Sequence, residues 1–134
     1  MNAAFSGGLG DALTYKVIGL AMKVHRALGP GLDEVFYHRL LSRQLASADV
    51  PHQFKPRTPL IYQGEVADVF EPDLVIPGRL VIELKAQRGG LAAESFTQLL
   101  SYLKFWRIPI GLLFEFSKER LIFQRVIRTE PYSI

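Results

Sequence analysis

The sequence predicts a mixed α/β domain in which helices pack on a central mixed β-sheet. Helical periodicity of apolar residues dominates the first third of the chain and returns near residue 93. Between these regions and again at the end, β-branched and aromatic residues alternate with Pro and Gly, which is typical of strands. The resulting order is two helices, several strands, a helix and two strands. At 134 residues we expect a single domain, 1–134.

The first helix is predicted from Asp11 to Leu28, where apolar residues recur at helical spacing. Residues 1–10 are rich in Gly, and we expect them to be flexible. "GPG" at 29–31 ends this helix. A second helix then runs from near Asp33 to near Ala48, and a third covers about 93–107 after the predicted loop "QRGGLAAES".

Strands are predicted near 53–62, 65–70, 73–77 and 80–86. Two closing strands, "PIGLLFEF" and "RLIFQRVI", are joined around "SKE". Pro77 and Gly78 predict a tight turn, so the strands on either side of them can pair as a hairpin.

Composition excludes several classes of function. The chain has no cysteine, which removes disulfides, thiolate nucleophiles and cysteine-ligated zinc. It shows neither a secretory signal nor an apolar run of membrane-spanning length, so we expect a cytoplasmic protein. A net charge of +3 and a pI of about 9.3 permit a polyanionic partner without requiring one.

The stretch "RLVIELKA" places charged residues in an otherwise apolar strand. If it pairs with the strand before Pro77, Asp73 and Glu83 lie on one face, with Lys85 two residues further along. Two carboxylates and an amine suit a hard divalent cation and an attacking water. The alternative is a structural cluster of ion pairs, which is common for an isolated Glu-x-Lys.

Other polar residues support a site less strongly. Glu34 falls on the inward face of the second helix, although a carboxylate in a first helical turn also complements the helix dipole. Gln98 and Tyr102 project together from the third helix, but such a pair is more often packing with a polar tip.

The three histidines give little indication of function. His25 borders the apolar face of the first helix and is expected to be a boundary residue. His38 and His52 have no neighbours in sequence that suggest a role. The motifs of serine hydrolases, zinc proteases and nucleotide-binding proteins are absent.

Taken together, the motifs resemble a known superfamily. "EPD" at 71–73 and "ELK" at 83–85 resemble the signature of the PD-(D/E)XK, restriction-endonuclease-like nucleases, and Gln98-x-x-x-Tyr102 resembles an element of exonuclease-type branches. "VHRALGPGLDEVFYHRLL" resembles the pattern of the small bacterial GxxExxY proteins, with Gly31, Glu34 and Tyr37 in register. The ending "QLLSYLKFWRIPIGLLFEF" is also similar to that family, so the resemblance spans residues 15–117.

This resemblance implies a restriction-endonuclease-like core and metal-dependent hydrolysis of phosphodiester bonds. Asp73 and Glu83 would be metal ligands with the backbone carbonyl of Leu84, and Glu34 would approach the metal directly or through water. Lys85 would position the attacking water. The remaining pair, Gln98 and Tyr102, would steady the site or the substrate phosphate.

One departure from the family is visible, because relatives often carry Asn-Phe where this chain has Glu115-Phe116. The leading hypothesis is a Mg²⁺- or Mn²⁺-dependent nuclease acting on DNA. One alternative is a non-catalytic module that binds nucleic acid or protein, and another is a purely structural polar network. A homodimer would suit cleavage of both strands, but the sequence shows no interface.

Overall fold

A computed structural model describes residues 8–86 and 93–128. In chain order the elements are α1 (Gly8–Leu28), α2 (Glu34–Ser47), β1 (Gln53–Phe54), β2 (Thr58–Tyr62), β3 (Glu65–Phe70), β4 (Leu74–Ile76), β5 (Leu80–Lys85), α3 (Ala93–Trp106), β6 (Ile110–Glu115) and β7 (Ile122–Ile127). No helix in these two ranges is both long and apolar enough to cross a membrane.

Five strands form the central sheet in the order β1-β4-β5-β6-β7. The β5–β6 pair is parallel, whereas β1–β4, β4–β5 and β6–β7 are antiparallel. The parallel pair requires a crossover, and α3 is the helix that lies between its two strands in sequence. The predicted mixed sheet flanked by helices is therefore confirmed.

Helices cover both faces of this sheet because its central strands are apolar on both sides. On one face Val17 of α1 and Leu41 of α2 pack in one cluster with alternate residues of the central strands, including Leu74, Ile82 and Phe114. On the other face Leu99 and Leu103 of α3 pack against the intervening strand residues, including Val75, Val81 and Leu113. Gly111 allows α3 to approach closely, since a Cβ there would lie 2.8 Å from Leu99 Cδ1.

The predicted strand over 53–62 was wrong in one respect, because it is broken into β1 and β2. Between them Lys55 has a left-handed φ of +46° and Pro56 lacks an N–H, so no ladder can continue through this point. β2 and β3 then pair only with each other in a second, two-stranded sheet. These residues form a hairpin, Thr58–Phe70, that leaves and rejoins the main sheet.

Two boundary predictions also differ from the structure. The first helix begins at Gly8 rather than at the predicted Asp11. The flexibility expected for residues 1–10 stays a prediction, and residues 1–7 lie outside the described part of the chain. Once a helix is nucleated, each added residue gains a hydrogen bond at little cost. The predicted loop 87–95 ends earlier than expected, because α3 already begins at Ala93, and residues 87–92 are not described.

Candidate active site

The β4–β5 hairpin brings Asp73 and Glu83 face to face. Arg79 N–H donates to Ile76 O (2.9 Å) and Gly78 has a φ of +74°, as expected for a type II turn with Pro then Gly at its centre. The register pairs Leu74 with Ile82, so the next pair outward is Asp73 with Glu83. Sequence reasoning predicted this arrangement from the Pro-Gly turn.

Hydrogen bonds to the backbone fix the two carboxylates in place. Asp73 N–H donates to Glu83 Oε2 (2.8 Å), and Leu84 N–H donates to Asp73 Oδ2 (2.7 Å). Both residues are buried, with Asp73 8% and Glu83 4% exposed. Each carboxylate therefore holds the strand that carries the other, which leaves little freedom for either side chain.

Helix α2 adds a third carboxylate and a histidine to this site. Glu34 Oε1 accepts a hydrogen bond from Ala86 N–H (3.1 Å), at the end of β5. His38 Nε2 lies 3.2 Å from Asp73 Oδ2 and 3.8 Å from Glu34 Oε2. The inward direction predicted for Glu34 is thus observed, and it brings α2 to the carboxyl end of the strand.

His38 is a site neighbour that the sequence analysis missed. Its side chain is buried, and neither ring nitrogen has a hydrogen-bond partner of good geometry within 8–86 and 93–128. Its spacing from Glu34, one helical turn, is the signal that could have indicated it. The proximity to Asp73 spans 35 positions in sequence and could not be read from local pattern.

Burial and like charge raise the pKa of Glu83 to about 8, from an ordinary value of 4.5. Removal from water is the largest cause and repulsion from Asp73 the second; the hydrogen bond from Asp73 N–H and the charge of Lys85 oppose them. A cation bound nearby would stabilise the ionised form of Glu83, which burial and the charge of Asp73 make unfavourable.

Lys85 and Gln98 border the same cleft. Lys85 is the last residue of β5 and is half-buried, and with α3 residues it lines a cleft of about 290 Å³ formed by Lys85, Glu94, Ser95, Thr97 and Gln98. Gln98 is exposed there. The cleft adjoins the strand end that carries Glu83, so a ligand in it would contact both β5 and α3.

Tyr102 lies deeper than Gln98, although both belong to α3. It is buried, and its ring packs against Phe70 and Trp106 with centroids 5.4 and 5.6 Å away. Burial first, and then the charge of Glu83, raise the pKa of Tyr102 to about 12. Its hydroxyl therefore stays protonated and can donate a hydrogen bond near the carboxylates, while Gln98 faces the open cleft.

Gly31, Glu34 and Tyr37, the residues of the G-x-x-E-x-x-Y pattern, shape the loop that presents α2. Gly31 has a φ of +110°, which favours glycine. Tyr37 hydroxyl donates to Gly29 O (2.6 Å) and accepts from Leu32 N–H (3.2 Å). Tyr37 therefore fixes the α1–α2 connection, and this fixes the position of Glu34.

Other polar residues make contacts that hold the fold. His25 Nε2 lies 2.9 Å from Lys118 O, which connects α1 to the β6–β7 loop. His52 lies 2.7 Å from Ser42 Oγ. Glu115 is buried on the strand beside Lys85, and its Oε1 accepts a hydrogen bond from Ser117 N–H (2.9 Å).

The chemistry of the donor set fits a hard divalent cation. Asp73, Glu83 and Glu34 supply carboxylate oxygens, and the imidazole of His38 lies beside two of them, Asp73 and Glu34. Within the two described ranges, no three acidic or histidine side chains are arranged to enclose an ion by themselves. Mg²⁺ often uses only one or two protein carboxylates and completes its octahedron with water and substrate oxygens, so the carboxylates present are chemically compatible with it.

Comparison with known proteins places the chain in a superfamily of nucleases. A family model described as "PD-(D/E)XK nuclease superfamily" matches residues 11–128. No curated protein matches the chain. A solved structure described as the crystal structure of SSO0001 superposes with a TM-score of 0.57 at 16% identity, covering 89% of this chain and 62% of its own. At that identity the likeness shows the fold, and this chain spans only 62% of that protein's length.

Proposed function

Because this chain belongs to the PD-(D/E)XK nuclease superfamily, we propose that it is a Mg²⁺- or Mn²⁺-dependent nuclease that hydrolyses phosphodiester bonds in DNA. The observation that carries the proposal is the interlocked pair of Asp73 and Glu83, each held by a backbone N–H at 2.8 Å or less. Lys85 follows Glu83 on the same strand and lines the adjoining cleft.

In this proposal Asp73 and Glu83 hold the metal with the backbone carbonyl of Leu84, and Glu34 contributes directly or through water. When bound, the cation would lower the pKa of a water molecule and neutralise phosphate charge. Fixed carboxylates need no reorganisation as charge develops, which favours catalysis in a partly dry site. Their burial at 8% and 4% exposure supports this role.

Lys85 and the α3 residues would act on the water and the substrate. The ammonium of Lys85 would orient the attacking water and stabilise negative charge on the phosphate. Gln98 is exposed in the cleft and would contact a phosphate or sugar, whereas Tyr102, which is buried and protonated, would steady the carboxylates from behind. The position of each side chain supports these roles.

We also propose membership of the GxxExxY family, supported by the contacts of its pattern residues. Glu34 is bonded to β5, and Tyr37 fixes the loop that precedes it. A cytoplasmic location and a homodimer that cuts both strands are further proposals.

A non-catalytic binding module that keeps the nuclease fold is the second candidate. It is favoured by one observation: the carboxylates already bond to backbone N–H groups, and no three-ligand cluster exists within 8–86 and 93–128. Metal binding separates the two candidates. A nuclease should bind Mn²⁺ with loss of affinity in Asp73→Asn, whereas a pure binding module should be indifferent to metal.

A cleavage assay tests the proposal. Linear, circular and single-stranded DNA would be incubated with Mg²⁺, Mn²⁺ or EDTA, using wild type, Asp73→Asn, Lys85→Ala and, as a control, Lys104→Ala. Lys104 is exposed in the last turn of α3, away from the cleft. Metal-dependent cutting that is lost in the first two variants and kept in the control supports the nuclease. No cutting and no metal binding by calorimetry would reject it.

A further inference from the structure

Lys55 occupies an unfavourable backbone conformation beside the site. It follows β1 with a left-handed φ of +46°, a region that non-glycine residues other than Asn and Asp rarely adopt. Pro56 follows it, and a proline further restricts the residue before it to extended conformations. Because Lys55 is not Gly, Asn or Asp, its left-handed backbone conformation is strained.

The same conformation brings both ends of Lys55 to Asp73. Lys55 N–H donates to Asp73 O (2.8 Å), and its ammonium lies 4.0 Å from Asp73 Oδ1. The lysine side chain is 35% exposed and that of Asp73 12%, so the ammonium is the part of the pair that solvent and a ligand can reach. The other oxygen, Asp73 Oδ2, is occupied by Leu84 N–H.

A structural ion pair does not account for this lysine. At 4.0 Å and with one partner partly exposed, such a pair stabilises a protein little, too little to offset a strained backbone. The neighbouring cation, Arg57, already lies 3.8 Å from Glu71. Strained residues persist where the surrounding structure holds them, and they cluster at functional sites.

We propose that Lys55 is a phosphate-binding residue of the nucleic-acid site, a second ammonium beside the carboxylates in addition to Lys85. This inference rests on the proposed nuclease function and identifies where the substrate backbone passes, along the β1 side of Asp73. Before substrate binds, the ammonium of Lys55 faces Asp73. When substrate binds, this ammonium forms an ion pair with a substrate phosphate. Lys85, at the end of β5, and Lys55, just after β1, thus approach the phosphates from different elements.

DNA binding without metal tests this role. Anisotropy of a labelled DNA duplex would be measured in EDTA across a salt series for wild type, Lys55→Asn and Lys55→Arg. Asn suits the left-handed backbone and removes the charge, whereas Arg keeps the charge. Loss of one phosphate contact should reduce the slope of log K against log salt by about 0.9, equivalent to about eightfold weaker binding at 0.1 M salt. Lys55→Arg should retain the wild-type slope.

Arg107→Asn is the matched control. Arg107 is also cationic, exposed and left-handed, with a φ of +55°, but it follows α3 at the opposite end of the sheet from Lys85. Its substitution removes the same charge and relieves the same strain, and the salt slope should not change. Melting temperatures of both Asn variants should be no lower than that of wild type, because relief of strain offsets a weak contact.

An unchanged salt slope in Lys55→Asn would overturn the inference, and so would a slope reduced equally in Arg107→Asn. Failure of wild type to bind DNA would overturn it as well. The nuclease proposal is judged separately by the cleavage assay. A protein that cuts DNA while Lys55→Asn binds normally would keep that function and lose only this residue's role.

Discussion

Glu83→Gln should stabilise the metal-free protein at alkaline pH and lower its stability by about 1–2 kcal/mol at pH 5, where the buried amide still carries its cost but the charge penalty is nearly absent. The folded protein holds the pKa of Glu83 at about 8 against an ordinary value of 4.5. Between these values the folded state keeps a proton that the unfolded state releases, so stability falls as pH rises through this window. Above about pH 8 both states are ionised and the penalty is fully present.

The size of the effect follows from this difference. At 1.36 kcal/mol per pH unit, a pKa raised from 4.5 to about 8 corresponds to at most about 5 kcal/mol. Glutamine keeps an oxygen to accept the hydrogen bond from Asp73 N–H, but it must bury amide N–H groups, which costs part of the gain. We expect the free energy of unfolding to rise by about 2–3 kcal/mol at pH 9.

Urea denaturation at pH 5, 7 and 9, followed by Trp106 fluorescence, measures this difference. Glu65→Gln, on the exposed strand β3, is the control and should change stability by less than about 0.5 kcal/mol at each pH. Millimolar Mg²⁺ should reduce the advantage of Glu83→Gln, because a cation relieves the same repulsion. An equal change at pH 5 and pH 9, or a destabilised variant at pH 9, would refute the reasoning.

Three further substitutions test other parts of the molecule. Lys85→Ala should lower the rate of DNA cleavage about 100-fold or more while DNA binding in EDTA weakens by less than about tenfold, and a loss of binding alone would contradict its proposed role. Tyr37→Phe removes the 2.6 Å hydrogen bond to Gly29 O and should lower the free energy of unfolding by about 1–2 kcal/mol in urea, with no effect expected if the α1–α2 loop is held by other contacts. Gly111→Ala should cost about 1–3 kcal/mol by thermal melting, since the new Cβ would lie 2.8 Å from buried Leu99; an unchanged melting temperature would show that α3 can shift freely.

Much of the fold follows from short-range patterns. Apolar periodicity located the three helices, and the Pro77–Gly78 turn predicted both the β4–β5 hairpin and the facing of Asp73 and Glu83. These features depend on residues close together in sequence, where local sterics and alternation decide the structure. The inward direction of Glu34 likewise follows from helical geometry alone.

Features that depend on contacts between distant segments could not be predicted from the sequence. His38 looks like an ordinary helical residue until α2 is placed against β4, where its ring lies 3.2 Å from Asp73. The break at Lys55 was hidden in a stretch of strand-like composition, because backbone conformation at one lysine is not a property of composition. The raised pKa of Glu83 required the burial of the whole strand.

The hairpin Thr58–Phe70 joins two positions that the main sheet already holds together. β1 pairs directly with β4, and Lys55 N–H donates to Asp73 O (2.8 Å). The segments on either side of the hairpin are therefore hydrogen-bonded to each other without it. The entropy of a loop grows only slowly with its length, by about 0.6 kcal/mol per doubling. The part of this excursion before Phe70, which itself packs on Tyr102, can therefore lengthen, shorten or be exchanged between homologues at low cost to the sheet. New partners can be acquired there without altering the carboxylates.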